Sequence, residues 1–166
     1  MTVVGADEQS DVDVDVDRWC RLARDVLASE GASGELTVTF VDRDEITALN
    51  REHMDADGPT DVLSFPLDAG VPAPATDVPL LLGDVVICPA VAAEQAPRHA
   101  GPLDDELALL VVHGVLHVLG HDHGDADQTE RMQQRERAML ERHHWGGPAP
   151  AGFRQHHEDS WTPSTS

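Results

Sequence analysis

The chain has 166 residues and a formal net charge of −20, set by 31 acidic residues against 11 basic ones, every one of them Arg. That length gives one domain with a real core and some tail, and the acidity excludes the broad basic footprint of a general nucleic-acid binder, so any RNA contact must come from a local Arg cluster, a metal ion or a partner. No apolar run is long enough to span a bilayer and the first residues lack the pattern of a signal peptide. The missing signal-peptide pattern places the protein in the cytoplasm by default, and in that reducing compartment the isolated Cys20 and Cys88 read as buried free thiols.

In chain order, residues 2–4 read as a short edge strand. Residues 11–17 alternate Asp and Val, but Asp is poor in strands and good at helix starts, so this is an exposed lead-in ending in a cap at Asp17. Trp19, Leu22, Ala23, Val26 and Leu27 give a helical pattern over 18–29, ended by Gly31 and Gly34. The alternating, β-branched run 36–41 is a strand. Asp42-Arg43-Asp44-Glu45 resembles a capping box opening a helix through Ile46, Leu49 and His53, broken at Asp57-Gly58-Pro59. A short buried strand covers 62–65. Residues 68–79 form a connecting loop, with a lid as the sharper alternative. A strand over 80–88 is interrupted at Gly83-Asp84, and a helix runs from Pro89 to about Ala96.

The decisive stretch is His113-Gly114-Val115-Leu116-His117-Val118-Leu119-Gly120-His121-Asp122-His123. From 107 to 119 every residue except the two histidines is apolar or Gly, so a helix over 103–120 is buried nearly all round. His113 and His117, four apart, share one helical face and can reach one ion. Gly120 offers a left-handed stop, after which the chain can return His123 to the same ion as a third ligand. His121 is the alternative third ligand, or a pocket residue. His123 is preferred because His-x-x-x-His-x-x-Gly-x-x-His is the metzincin spacing. Three imidazoles with an open fourth position describe a catalytic rather than a structural zinc site, although such a set also suits nickel, copper or iron. A zinc peptidase of that type needs Glu directly after the first His; Gly114 stands there, so the peptidase base is missing.

Asp127-Gln128-Thr129-Glu130 caps a last helix reaching about His143. Along it Arg131, Arg135 and Arg142, with Glu130, Glu136 and Glu141, read as a salt-bridged solvent face rather than an RNA contact. Beyond Trp145 the Gly, Pro, Ala, Ser and His composition reads as a disordered tail, and His143, His144, His156 and His157 read as solvated side chains rather than a metal site. The organisation is therefore a domain over 1–143 and a tail over 144–166. Strands and helices alternate early and helices dominate late: an α/β layered domain on a sheet of about four strands.

Three blocks together resemble one family, the YbeY endoribonucleases (rRNA maturation factors). They are Leu49-Asn50 with Pro59-Thr60-Asp61-Val62-Leu63-Ser64-Phe65-Pro66, then Leu82-Gly83-Asp84-Val85-Val86-Ile87-Cys88-Pro89, then the histidine stretch. The resemblance covers about residues 3–140. It implies a mixed four-stranded sheet covered by helices and one zinc-like ion per chain, held by His113, His117 and His123. It further implies hydrolysis of single-stranded RNA, in maturation of the small-subunit rRNA 3′ end and in ribosome quality control, with the ribosome or a ribosomal protein as partner and neither membrane nor DNA involved. Ser64 and Asp84 are pocket candidates by resemblance only; Asp122 is a candidate to orient a ligand imidazole. Two positions depart from the pattern: His53-Met54 stands where many members have an aromatic residue and Arg, and His121 where many have Tyr. Two other functions compete: a non-catalytic ribosome assembly factor with a structural metal, and a zinc peptidase.

Overall fold

The computed structural model describes residues 2–67, 80–121 and 125–155. Its elements follow the chain as β1 (Thr2–Asp7), α1 (Val16–Ser29), β2 (Glu35–Phe40), α2 (Arg43–Met54), β3 (Val62–Pro66), β4 (Leu81–Ile87), α3 (Pro89–Gln95), a 3-10 turn (Ala96–Arg98), α4 (Leu103–Val118), α5 (Ala126–Leu140) and a π-helical turn (Glu141–Trp145). In β2 the alternation of the sequence becomes alternation of burial, with Leu36, Val38 and Phe40 inside. The sheet order is β1-β2-β4-β3; β1, β2 and β4 run parallel and β3 is antiparallel to β4, a mixed sheet as the resemblance implied.

The sheet is sided. Leu36, Val38, Phe40, Val62, Val85 and Ile87 share the main core with α1 and α4, while Leu63, Val86, Val41 and Cys88 form a smaller cluster with Ile46 and Leu49 of α2. The central element is α4: from Asp105 to Val118 every residue is buried. The apolar run explains most of that burial. The two carboxylates at its start are buried because each has partners: Glu106 accepts from the Ala100 amide at 3.2 Å and from Gln95 at 2.9 Å, and Asp105 accepts from the Trp145 indole at 3.0 Å. Their charge also suits the positive end of the helix.

Several local expectations shift. The first strand extends to Asp7 because it pairs along its whole length with β2. α1 is capped two residues early, by Asp15 accepting from the Arg18 amide, and α5 by Asp125 rather than Asp127; Asp recurs at both starts, so sequence does not say which carboxylate faces the amides. β4 is continuous through Gly83-Asp84. Gly83 is there because β3 passes so close that a Cβ would lie 2.5 Å from the Phe65 carbonyl oxygen. The tail does not begin at 144: His144 and Trp145 hold Asp105, Phe153 is buried edge-on against Trp145 at 4.8 Å, and the Arg154 amide bonds the His99 carbonyl. Two aromatic anchors outweigh a polar composition. The expected loop over 68–79, and His156 and His157, lie outside the described residues. No helix among the described residues is long and apolar enough to cross a membrane. Cys20 and Cys88 are free and buried, and burial pushes both thiols up.

Candidate metal centre

Because α4 is regular through this region, His113 and His117 stand on successive turns with ring centroids 5.4 Å apart and planes tilted by 58°. Both are buried, at 3% and 8% exposure. The helix then ends as the sequence anticipated, at Gly120 with φ of +102°. The amide of Gly120 bonds the His117 carbonyl and the amide of His121 bonds the Leu116 carbonyl, both at 3.0 Å. This is a Schellman ending, and it turns the chain sharply back directly after the second histidine.

Glu136 of α5, which the sequence assigned to a salt-bridged solvent face, is buried at 3% exposure. The His113 Nδ1–H donates to its carboxylate at 2.6 Å, and Gln155 donates to the other oxygen at 3.2 Å. A carboxylate on Nδ1 fixes the tautomer and leaves Nε2 as the coordinating atom, the usual arrangement behind a metal-bound histidine. No periodicity marks Glu136; only the packing of α5 on α4 does.

His117 lines a cavity of about 1230 Å³ together with Ser64, Phe65, Asp84, Met54 and His121. The two pocket candidates named from the resemblance are thus in one cavity with His117. Asp84 faces Phe65 across the β3–β4 ladder, and Ser64 Oγ donates to the Gly114 carbonyl at 3.3 Å. His53 stands edge-on to Phe65 at 5.2 Å. His121 is tied rather than converging: its Nε2 meets Glu30 Oε1 at 2.7 Å, and Arg135 Nε donates to Glu30 Oε2 at 2.7 Å. So Arg135 belongs to a bridge between Glu30, the residue that caps the end of α1, and α5.

Gly114 has a packing reason. A Cβ there would lie 2.5 Å from Val85 Cγ1, so α4 rests on β4 at a separation that no side chain at 114 permits. Beneath this contact, Gln95 Nε2 bridges Asp61 at 2.6 Å and Glu106 at 2.9 Å, and His99 Nδ1 bonds Glu106 at 3.1 Å. Burial pushes the Asp61 carboxyl up, with the Gln95 hydrogen bond pulling it partly back.

His123 and Asp122 lie outside the described residues, and among those described no three His, Cys, Asp or Glu side chains form a metal-binding group. The donor chemistry nonetheless fits a zinc-type ion: two imidazoles one turn apart, one of them backed by a buried carboxylate, beside an open cavity.

A mixed four-stranded sheet folded over a buried, histidine-bearing helix places the chain in the α/β class. It belongs to the YbeY family: the family model described as Endoribonuclease YbeY matches residues 5–144. Proteins named Endoribonuclease YbeY are similar over most of the chain. That of Acidothermus cellulolyticus is 49% identical over 142 residues, covering 80% of this chain and 85% of its own. That of Halorhodospira halophila is 48% identical over 117 residues, covering 69% and 74%, and that of Micrococcus luteus is 44% identical over 147 residues, covering 86% and 92%. The solution structure of TM1509 from Thermotoga maritima shares the fold, with a TM-score of 0.56 at 20% identity over 96% of this chain and 99% of that one.

Proposed function

We propose that this protein is a metal-dependent endoribonuclease that hydrolyses phosphodiesters in single-stranded RNA, with maturation of the small-subunit rRNA 3′ end and ribosome quality control as its cellular task. His113, His117 and His123 are the proposed ligands, Zn2+ the proposed ion, the ribosome or a ribosomal protein the proposed partner and the cytoplasm the proposed compartment. The observation that carries the reading is the 2.6 Å hydrogen bond from His113 to buried Glu136, one helical turn from a histidine that lines the cavity. Metal ligands regularly have such a carboxylate behind them; buried His99 has one too, on Glu106, so it is the turn spacing from cavity-lining His117 that sets His113 apart.

When bound, a divalent ion supplies a Lewis acid against a phosphoryl oxygen and makes hydroxide accessible at neutral pH. The protein's own residues do the rest. Glu136 holds the His113 ring in one tautomer and orientation. Phe65, with His53 edge-on and Met54, Leu49 and Val86 around it, offers an apolar wall for an unpaired base. A base in a duplex cannot stack there, which favours single strands. Asp84 and Ser64 are polar groups of the same cavity and are the proposed polar contacts of the nucleotide.

A peptidase is disfavoured on packing grounds, because a Glu at 114 has no room against Val85. The test compares purified wild type with His113→Ala and His117→Ala for metal content, cleavage of single-stranded RNA and cleavage of casein. One equivalent of metal and RNA cleavage in the wild type, both lost in each variant, supports the proposal. Casein cleavage lost in the variants supports the peptidase. Bound metal without RNA cleavage supports a non-catalytic assembly factor.

A further inference from the structure

Three of the eleven arginines, Arg18, Arg21 and Arg24, lie on α1 at spacings of three, within an arc of roughly 120° at 3.6 residues per turn. With His143 and His144 of the π-helical turn they line a hollow of about 380 Å³, whose other walls are Trp19, Leu22 and Asp25. Arg18 pairs with Asp104 at 2.9 Å and lies over the Trp19 ring at 4.6 Å. Arg21 and Arg24 are exposed, and among the described residues neither makes an ion pair. Arg43, Arg51, Arg135 and Arg137 are each tied to a carboxylate. In a chain with nearly three acids per Arg, a hollow lined by three guanidinium groups and the single carboxylate of Asp25 is a local excess of positive charge, although Arg18 is paired with Asp104.

The hollow is separate from the cavity beside His117, and the C-terminal end of α1 links the two. Ser29, the last residue of α1, bonds His143 at 2.8 Å, and the next residue, Glu30, holds His121 at the cavity wall. At 1.5 Å per residue, Arg24 and Arg18 stand roughly 9 and 18 Å along the axis from Glu30. The basic strip therefore begins roughly 9 Å along α1 from Glu30 and runs away from it over the length of a few nucleotides.

We propose that the Arg18–Arg21–Arg24 strip is a second RNA-binding surface that holds backbone phosphates of the RNA outside the cavity. This rests on the RNA-cleaving reading above and answers where RNA affinity resides in a chain of charge −20. Guanidinium forks match phosphate oxygens. An acidic protein partner is the poorer fit, because Trp19, the aromatic residue of the strip, is only 2% exposed and offers no apolar anchor.

The test is binding of a fluorescein-labelled 20-nucleotide single-stranded RNA by metal-loaded protein, followed by anisotropy across a salt series with gels confirming intact RNA. Wild type is compared with Arg21→Gln/Arg24→Gln and Arg21→Glu/Arg24→Glu, whose thermal melts report folding. Loss of two phosphate contacts makes the slope of log affinity against log salt shallower by about 1.4 and weakens binding at least about fivefold at low salt. In cleavage assays the double Gln variant has a raised KM for the 20-mer, an unchanged kcat and an unchanged kcat/KM for a tetranucleotide. Equal salt slopes and equal KM in wild type and a folded double Gln variant overturn the proposal, even where the strip captures an acidic protein. Binding without any cleavage by the wild type sinks the nuclease reading but leaves the strip standing. Cleavage with identical KM in all three does the reverse.

Discussion

His113 Nδ1 lies 2.6 Å from a carboxylate oxygen of Glu136, twenty-three residues later on a different helix, and both side chains are 4% exposed. The contact joins α4 to α5 at the point where the first candidate ligand must be held still. Replacing Glu136 by Gln keeps the size and a hydrogen-bonding group but removes the charge that fixes the Nδ1–H tautomer. Metal affinity should fall roughly 10- to 100-fold, measured by competition with a chromophoric chelator. An unchanged affinity would mean that the carboxylate serves packing alone.

Gly114→Ala places a methyl group 2.5 Å from Val85 Cγ1. Overpacking of this kind costs about 1–3 kcal/mol, read as a lower urea midpoint with the slope retained. Combining it with Val85→Ala removes the clash, so the double variant should be more stable than the sum of the two single effects predicts. Strict additivity would show that α4 and β4 do not meet at this pair.

The Asp61 carboxyl is pushed up by burial. A folded value above the unfolded one means that the folded state binds the proton more tightly. Stability from this group is then full at low pH, falls as pH rises from the unfolded value of about 3.9 towards the folded value, and levels off above it. In chelator-treated protein, the stability difference between wild type and Asp61→Asn should decline with pH across that window, by at most about 1.4 kcal/mol per unit. Urea titrations at several pH values give the answer, and a flat difference contradicts it.

His121 is held by Glu30, itself bonded to Arg135. With that nitrogen engaged, His121→Ala should keep the metal and His123→Ala should lose it. Elemental analysis of the two purified variants decides between them. The opposite pattern would exchange the two assignments.

Phe153→Ala removes an aromatic group that packs on Trp145. Because Phe153 sits at the edge of the core, the cost should fall near roughly 2–3 kcal/mol, at or below the low end for buried Phe. A thermal melt unchanged from wild type would show that the chain after Trp145 contributes nothing.

What the sequence made legible was whatever rests on local periodicity. β2 alternates, α4 is apolar all round, Asp42 caps α2 by accepting from the Glu45 amide, and Gly120 stops α4. Each follows from residues within one or two turns of each other. Glu136 stayed hidden because its role depends on a partner on another helix, and its local context of charged neighbours is that of a solvent face. Phe153 was hidden for the opposite reason: one aromatic residue decides the path of a segment whose average composition is polar. Gly114 was read as the absence of a peptidase base, whereas its packing cause, the approach of Val85, is visible only across the sheet.

The most direct measurement is the rate of single-stranded RNA cleavage by chelator-stripped protein as zinc is titrated back. The account predicts no cleavage in the stripped protein, recovery that saturates at one equivalent per chain, and no recovery in His113→Ala. Cleavage that survives stripping, or a His113→Ala protein as active as the wild type, would contradict it.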